Sequence, residues 1–329
     1  IDEMAATANA SKSYDLSGGA LREDLEDIIY DISPLDTIFM TRAARGTAKS
    51  TTHEWLTDAL AAPAANAQIE GDAFSATARN HPSRLKNYTQ ISSKQIEVTG
   101  TTRATDNAGM SDLFAYHTAR AGKELKRDME YMILEASSAT AGVSASARVA
   151  AGVFNWIYDT NHIKLTGQTT VTTSPVASGF AKGTGIAGST SATAFLVGDL
   201  NNMLQQAWSC GGDTDTILCG PLVYNKISTF TGLATRFRDV ASRQQAQIVN
   251  AADVYVSAYG AHNIVLSRWV RSDICYALQM DTWSVNYLRP FQTMEIAKVG
   301  DADRRLLLAE WTVVAKTPTA NTKATNINA

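Results

Sequence analysis

The chain has 329 residues, of which 45% are hydrophobic and 19% charged, with a net charge of −3 at pH 7 and a pI near 6.0. That length and apolar content provide for a real core and about two domains' worth of chain. The slightly acidic balance excludes a dedicated nucleic-acid binder, which shows a strongly basic domain or stripe.

Residues 1–45 form an acidic arm, with nine carboxylates against four basic residues. Within it Leu21, Leu25, Ile28 and Ile32 fall at helical spacing, so one face is apolar while Glu23, Asp24, Glu26 and Asp27 are solvated. Ser33-Pro34 stops this helix, because the residue before proline avoids the helical region. So few apolar side chains make no core, and the arm must dock on something; Tyr14 and Phe39 are its flanking anchors. The start, Ile1-Asp2-Glu3-Met4, has neither the basic region nor the apolar stretch of a secretory signal.

Residues 46–100 read as an extended two-stranded excursion. One β-rich strand runs over 51–57 and carries Trp55; the return runs over 88–98 from Tyr88. The tip over 59–83 is rich in Ala, Asn, Gly and Pro. A hairpin with so little core is marginal alone and needs a partner surface.

The strongest helix pattern covers 111–137. Ser111 is the expected N-cap ahead of Asp112. Leu113, Tyr116, Leu125, Met129, Met132, Ile133 and Ala136 trace one face, with Glu124, Lys126, Arg127, Asp128 and Glu130 largely off it. An apolar island, Val153-Phe154-Asn155-Trp156-Ile157, interrupts the loop-like stretch 138–192. Beyond it the pattern predicts a helix over 195–207, a strand over 216–219, a helix over 221–230 opened by Pro221, and strands through 262–315. Residues 318–329, rich in Thr, Asn and Ala, read as a flexible tail.

The chemistry-bearing motifs fail their tests. Gly183-Thr184-Gly185-Ile186-Ala187-Gly188 has dinucleotide-loop spacing but no preceding apolar strand and no suitably placed acid, so it reads as a Gly/Ser loop. The five histidines never pair at metal-ligand spacing, and no nucleophile elbow exists. Cys210, Cys219 and Cys275 read as reduced, buried thiols. Arg236, Arg238 and Arg243 are better suited to intersubunit ion pairs than to phosphate. No uncharged stretch is both long and apolar enough to span a bilayer. These negatives predict no catalysis and no cofactor.

One stretch carries a resemblance. Ser13-Tyr14-Asp15-Leu16, followed by Arg22-Glu23-Asp24-Leu25-Glu26-Asp27-Ile28-Ile29-Tyr30-Asp31-Ile32-Ser33-Pro34-Leu35-Asp36-Thr37-Ile38-Phe39-Met40, resembles the opening of a family of tailed-bacteriophage major capsid proteins. Ile38 stands where that pattern has proline. The resemblance implies an α+β chain of the Hong Kong 97-type capsid fold: N-terminal arm (1–45), extended loop (46–100), peripheral domain with a spine helix (101–193), axial domain (194–260), and return strands (261–317). It implies a shell subunit that forms pentamers and hexamers of an icosahedral head enclosing double-stranded DNA. The partners would be portal, scaffold or decoration proteins, with weak DNA contact and no membrane, and assembly would take place in the host cytoplasm. The expected intersubunit contacts are Tyr14, Leu21, Leu25, Ile28, Ile32, Phe39, Trp55, Tyr88, Arg236 and Arg238. An encapsulin-like compartment of the same fold, another virion part, and a hydrolase stand as alternatives.

Overall fold

The computed structural model describes residues 36–67, 69–71, 79, 81–105, 112–135, 139–157, 162–164, 193–230, 254–298, 300–325 and 327–328. Several expectations lie outside them: Tyr14, Leu21, Leu25, Ile28, Ile32, the glycine loop 183–188, the cap at Ser111, and Arg236, Arg238 and Arg243.

The elements in chain order are α1 (Ile38–Arg42), β1 (Ala44–Thr47), β2 (Thr52–Thr57), β3 (Ser83–Tyr88), β4 (Gln90–Thr99), α2 (Gly100–Ala104), α3 (Leu113–Leu134), α4 (Val153–Trp156), β5 (His162–Lys164), β6 (Thr193–Ala194), α5 (Val197–Ser209), β7 (Thr216–Cys219), α6 (Pro221–Ser228), β8 (Val254–Ser257), β9 (Gly260–Leu266), β10 (Cys275–Leu278), β11 (Trp283–Ile296), β12 (Ala302–Ala315), β13 (Thr322–Thr325) and β14 (Ile327–Asn328).

Two sheets organise the body. The first has the order β1-β11-β12-β4 and is built on the long antiparallel pair β11–β12, with β1 parallel to β11. Helix α3 packs on β4 and β12. Its N-cap is Asp112, not Ser111: the Asp112 carboxylate accepts from the N–H groups of Phe114 and Ala115. The second sheet has the order β5-β13-β10-β7-β9-β8 and is covered by α5 and α6. Because successive side chains of a strand point to opposite faces, β7 and β10 serve two cores. Leu218, Tyr276 and Leu278 join the core under α3, while Ile217, Cys219, Cys275 and Ala277 join the one under α5 and α6.

The structure corrects four sequence expectations. The tail is not loose: β13 is an interior strand between β5 and β10, and Asn321, Thr322, Lys323, Ala324 and Thr325 are fully buried. Its polar side chains misled because they bond inward, Thr322 to the Met203 carbonyl and Lys323 to the carbonyls of Phe154 and Ile157. Next, the return of the excursion is two strands. β3 pairs with β2, but β4 leaves it after Thr89 and pairs with β12. Strands β9 and β10, expected among the return strands, belong to the second sheet. Finally, Cys219 and Cys275 are buried free thiols, but Cys210 is exposed at the end of α5.

The apolar island became α4, buried throughout. Gly152 caps it where no side chain fits: a Cβ there would lie 2.6 Å from the Ile133 carbonyl oxygen and 2.7 Å from that of Glu135. The end of α3 and the start of α4 are therefore in backbone contact.

Candidate functional site

The segments without a core of their own meet the body at two roots, each built round buried polar side chains, Glu130 at one and Asn87 and Glu310 at the other. At the first root the arm enters through α1. This short helix has a weak start, since its N-cap Thr37 makes no side-chain cap. The N–H groups left over at a helix start need acceptors. Glu130 of α3 supplies them: its two carboxylate oxygens accept from the Phe39 N–H at 2.6 Å and the Met40 N–H at 2.9 Å. Glu130, expected largely off the apolar face of the helix, is fully buried and belongs to the interior. Burial pushes its carboxyl up to about 7, and the N–H groups of Met40, Phe39 and Ile38 work in the opposite direction by favouring the charged form. Phe39 closes the root. Its side chain is wholly buried, edge-on to Trp283 at 5.8 Å between ring centroids. The expected role of Phe39 as an intersubunit anchor is thereby corrected, because its whole side chain is spent inside its own chain.

Upstream of α1, Asp36 is the first described residue. Its carbonyl accepts from Trp269 Nε1 at 2.7 Å, and its carboxylate pairs with Arg268 at 3.3 Å. Arg127 of α3 lies over the Trp269 ring, 5.8 Å from its centroid.

At the second root the excursion β2–β3 leaves the body. Asn87 is buried and fully occupied. Its Nδ2 donates to the carbonyls of Val313 (2.8 Å) and Ala151 (3.3 Å), and its Oδ1 accepts from the Ala151 N–H. Two residues on, Thr89 donates to Glu310 at 2.8 Å, and that same buried carboxylate receives Arg148 (2.6 Å) and Arg289 (2.8 Å). A buried carboxylate with two guanidinium partners and a hydroxyl has its charge compensated, and removing any one partner exposes the cost of burying the rest. Trp55 braces the other strand: its Nε1 donates to the Ala315 carbonyl at 3.0 Å and its ring lies 5.2 Å from that of Trp156. Trp55 remains partly exposed on the strand that leaves the body. Tyr88, opposite Thr52 at the end of β3, is half-buried.

Outboard of this root the chain changes character. Residues 58–67 are exposed throughout, and Leu56, Leu60 and Ile69 are 67%, 98% and 77% exposed. Apolar side chains at such exposure have no cover within the described residues.

Among the described residues no group of three or more His, Cys, Asp or Glu side chains is placed to hold a metal, and no helix is long and apolar enough to cross a membrane. Sequence reasoning missed Glu130, Asn87 and Glu310. The one available signal was a carboxylate next to the apolar row of α3, and it is ambiguous without knowledge of the partner.

Three comparisons place this arrangement. A family model described as SU10 major capsid protein matches residues 5–328. The chain is 26% identical to the major capsid protein of Escherichia phage Phieco32 over 331 residues, covering 91% of each. Among solved structures it resembles a chain of the Cyanophage A-1(L) capsid asymmetric unit, with a TM-score of 0.69 at 12% identity over 96% of this chain and 99% of that one. It also resembles a chain from Gordonia phage Cozz, with a TM-score of 0.60 at 13% identity over 100% and 98%.

Proposed function

The chain belongs to the SU10 major capsid protein family, and from that premise we propose how its two roots serve a shell. It is a major capsid protein of a tailed phage with the Hong Kong 97-type fold, a structural component of the virion and not an enzyme. Capsid subunits occupy a lattice of copies, and the finer reading follows from the parts without a core. The excursion beyond β2 and β3 lies over one neighbour, with Leu56, Leu60, Ile69 and the half-exposed Tyr88 against it. The arm upstream of Asp36 reaches another, through Tyr14 and the row Leu21, Leu25, Ile28 and Ile32, with Arg236 and Arg238 available for ion pairs across the boundary. Copies join as pentamers and hexamers in the host cytoplasm, around scaffold and portal, and enclose double-stranded DNA. A net charge of −3 leaves contact with the DNA weak and non-specific.

The observation that carries this reading is the contrast at the second root. Asn87 and Glu310 hold the base of the excursion firmly, while its apolar residues outboard lie bare. A chain that fixes the base of an extension so tightly presents that extension to something else. Burying each aliphatic side chain there or in the arm is worth roughly 1.5–3 kcal/mol before ordering costs.

Leu25→Asp with Ile28→Asp tests the arm. The expected result is a subunit with an unchanged circular dichroism spectrum and melting point that assembles poorly. Normal shells at normal yield would remove the arm from the assembly contacts.

A further inference from the structure

Helix α3 sorts its charges by side. On the side of β4, Asp128 pairs with Lys94 at 2.7 Å, and Glu124 pairs with Arg120 at 3.0 Å along the helix. On the other side, Lys123, Lys126 and Arg127 have no acidic partner among the described residues; Lys126 and Arg127 lie over the rings of Phe291 and Trp269 instead. Lys123 and Lys126 are exposed and Arg127 half-buried. Counting back from Glu130, these cations stand three, four and seven residues away, which puts them on the face of α3 that receives the arm root.

The path of the chain leads onto this face. From Met40 and Phe39 at Glu130, the backbone passes to Asp36 at Trp269, and Trp269 is the ring under Arg127. The chain therefore moves along α3 toward its N-terminus as it is followed backwards. What lies immediately upstream is acidic: Asp31, Asp27, Glu26, Asp24 and Glu23, with only Arg22 opposing them. In the helical spacing of 21–32, Asp24, Asp27 and Asp31 share one flank of the apolar row.

We propose that residues 21–35 lie back along this face of the same chain's α3, with Asp31 set against Arg127 and Lys126 and Asp27 set against Lys123. Both acidic and basic partners are four residues apart in their helices, so the two pairs form in one register with the helices parallel. Lengths agree: twelve arm residues as a helix span about 17 Å, and α3 from Leu113 to Arg127 spans about 21 Å. Five extended residues from Asp36 to Asp31 reach up to about 17 Å, enough to lay the arm on the helix. Pinned by this flank, the arm turns its apolar row toward the neighbouring subunit. The inference rests on the reading above for the role of that row, while the placement has its own test.

The test uses the full-length chain carrying Cys210→Ser, which removes the exposed thiol, together with Asp27→Cys and Lys123→Cys and a short bis-maleimide. The expected product is a cross-linked single chain, in unassembled subunits regardless of dilution and again in shells. Adding Lys126→Glu lowers the cross-linked fraction about threefold, the scale of an exposed ion pair, and Asp31→Lys in that background restores it. Failure to form the single-chain product overturns the placement, as does a product linking only two chains, in which case the face takes a second copy's arm. A cross-linked fraction indifferent to Lys126→Glu removes the charge pairing. If Leu25→Asp with Ile28→Asp blocks assembly while no single-chain product forms, the arm remains an assembly contact and only its placement on α3 falls.

Discussion

Residues 317–325 and residues 58–67 are both short stretches of mostly small side chains with one Pro, one Asn and one charged residue each, the first rich in Thr and the second in Ala, and they come to opposite ends. The first is stitched into the body. β13 has a strand on each side, and Asn321 ties it to the first sheet, accepting from Gln279 N–H and Trp283 Nε1 and donating to Thr282 and the Thr317 carbonyl. The second is exposed along its whole length. The Thr content of the first favours a strand, but it does not explain why Asn321 and Lys323 are buried. The difference is where backbone hydrogen bonds go: an interior strand satisfies both edges, and polar side chains beside it become assets once each finds a partner. The second segment lacks such neighbours among the described residues, and its apolar side chains stay bare.

The comparison breaks most readily at the C-terminal side. A chain ending at Thr317 loses β13 from the middle of the second sheet, and the expected result is no soluble folded subunit. Asn321→Ala is the graded version. It leaves buried donors and acceptors unmatched at four hydrogen bonds, a loss of about 3–4 kcal/mol at roughly 1 kcal/mol for each, to be read from urea midpoints.

Glu130 gives the next largest effect and one with a pH signature. Its carboxyl is raised from 4.5 to about 7 in the folded chain. The folded state therefore holds this proton more tightly than the unfolded state. The stability it contributes is fully present below about pH 4.5 and is lost as pH rises through 7, an amount on the order of 3 kcal/mol. Glu130→Gln should flatten that part of the stability profile, and an unchanged slope would assign it to other groups. Glu130→Ala should cost about 2–3 kcal/mol, because the Phe39 and Met40 N–H groups lose their acceptor.

Much of the body was readable in the sequence for a simple reason: its signals are local. Strand β7 falls at the expected residues 216–219, α6 opens at Pro221 as expected, and α3 lies within the expected 111–137. What escaped depends on partners far along the chain. Glu130 looks like a surface carboxylate until the N–H groups of residues ninety positions earlier arrive beside it. Asn321 looks like loop chemistry until Trp283 does the same. The break between β3 and β4 escaped because Thr89 marks it only through Glu310. The arm was the opposite case: a recognisable motif named the family, while Phe39, expected to act between subunits, proved internal.

The smallest effect on the subunit is expected at the exposed end of the comparison. Leu60→Asp with Ile69→Asp should change subunit stability by no more than about 0.5 kcal/mol, as for surface positions generally, yet lower the yield of shells. Limited proteolysis should cut residues 59–67 quickly in free subunits and slowly in shells. Equal cutting in both would deny the excursion a neighbour.

The central claim is that this chain builds a closed shell from its own copies, and electron microscopy of the expressed protein addresses it most directly. The account predicts thin-walled, closed particles of uniform diameter whose lattice is made of this chain. Discrete oligomers of a few subunits, or open tubes, as the only products would contradict it.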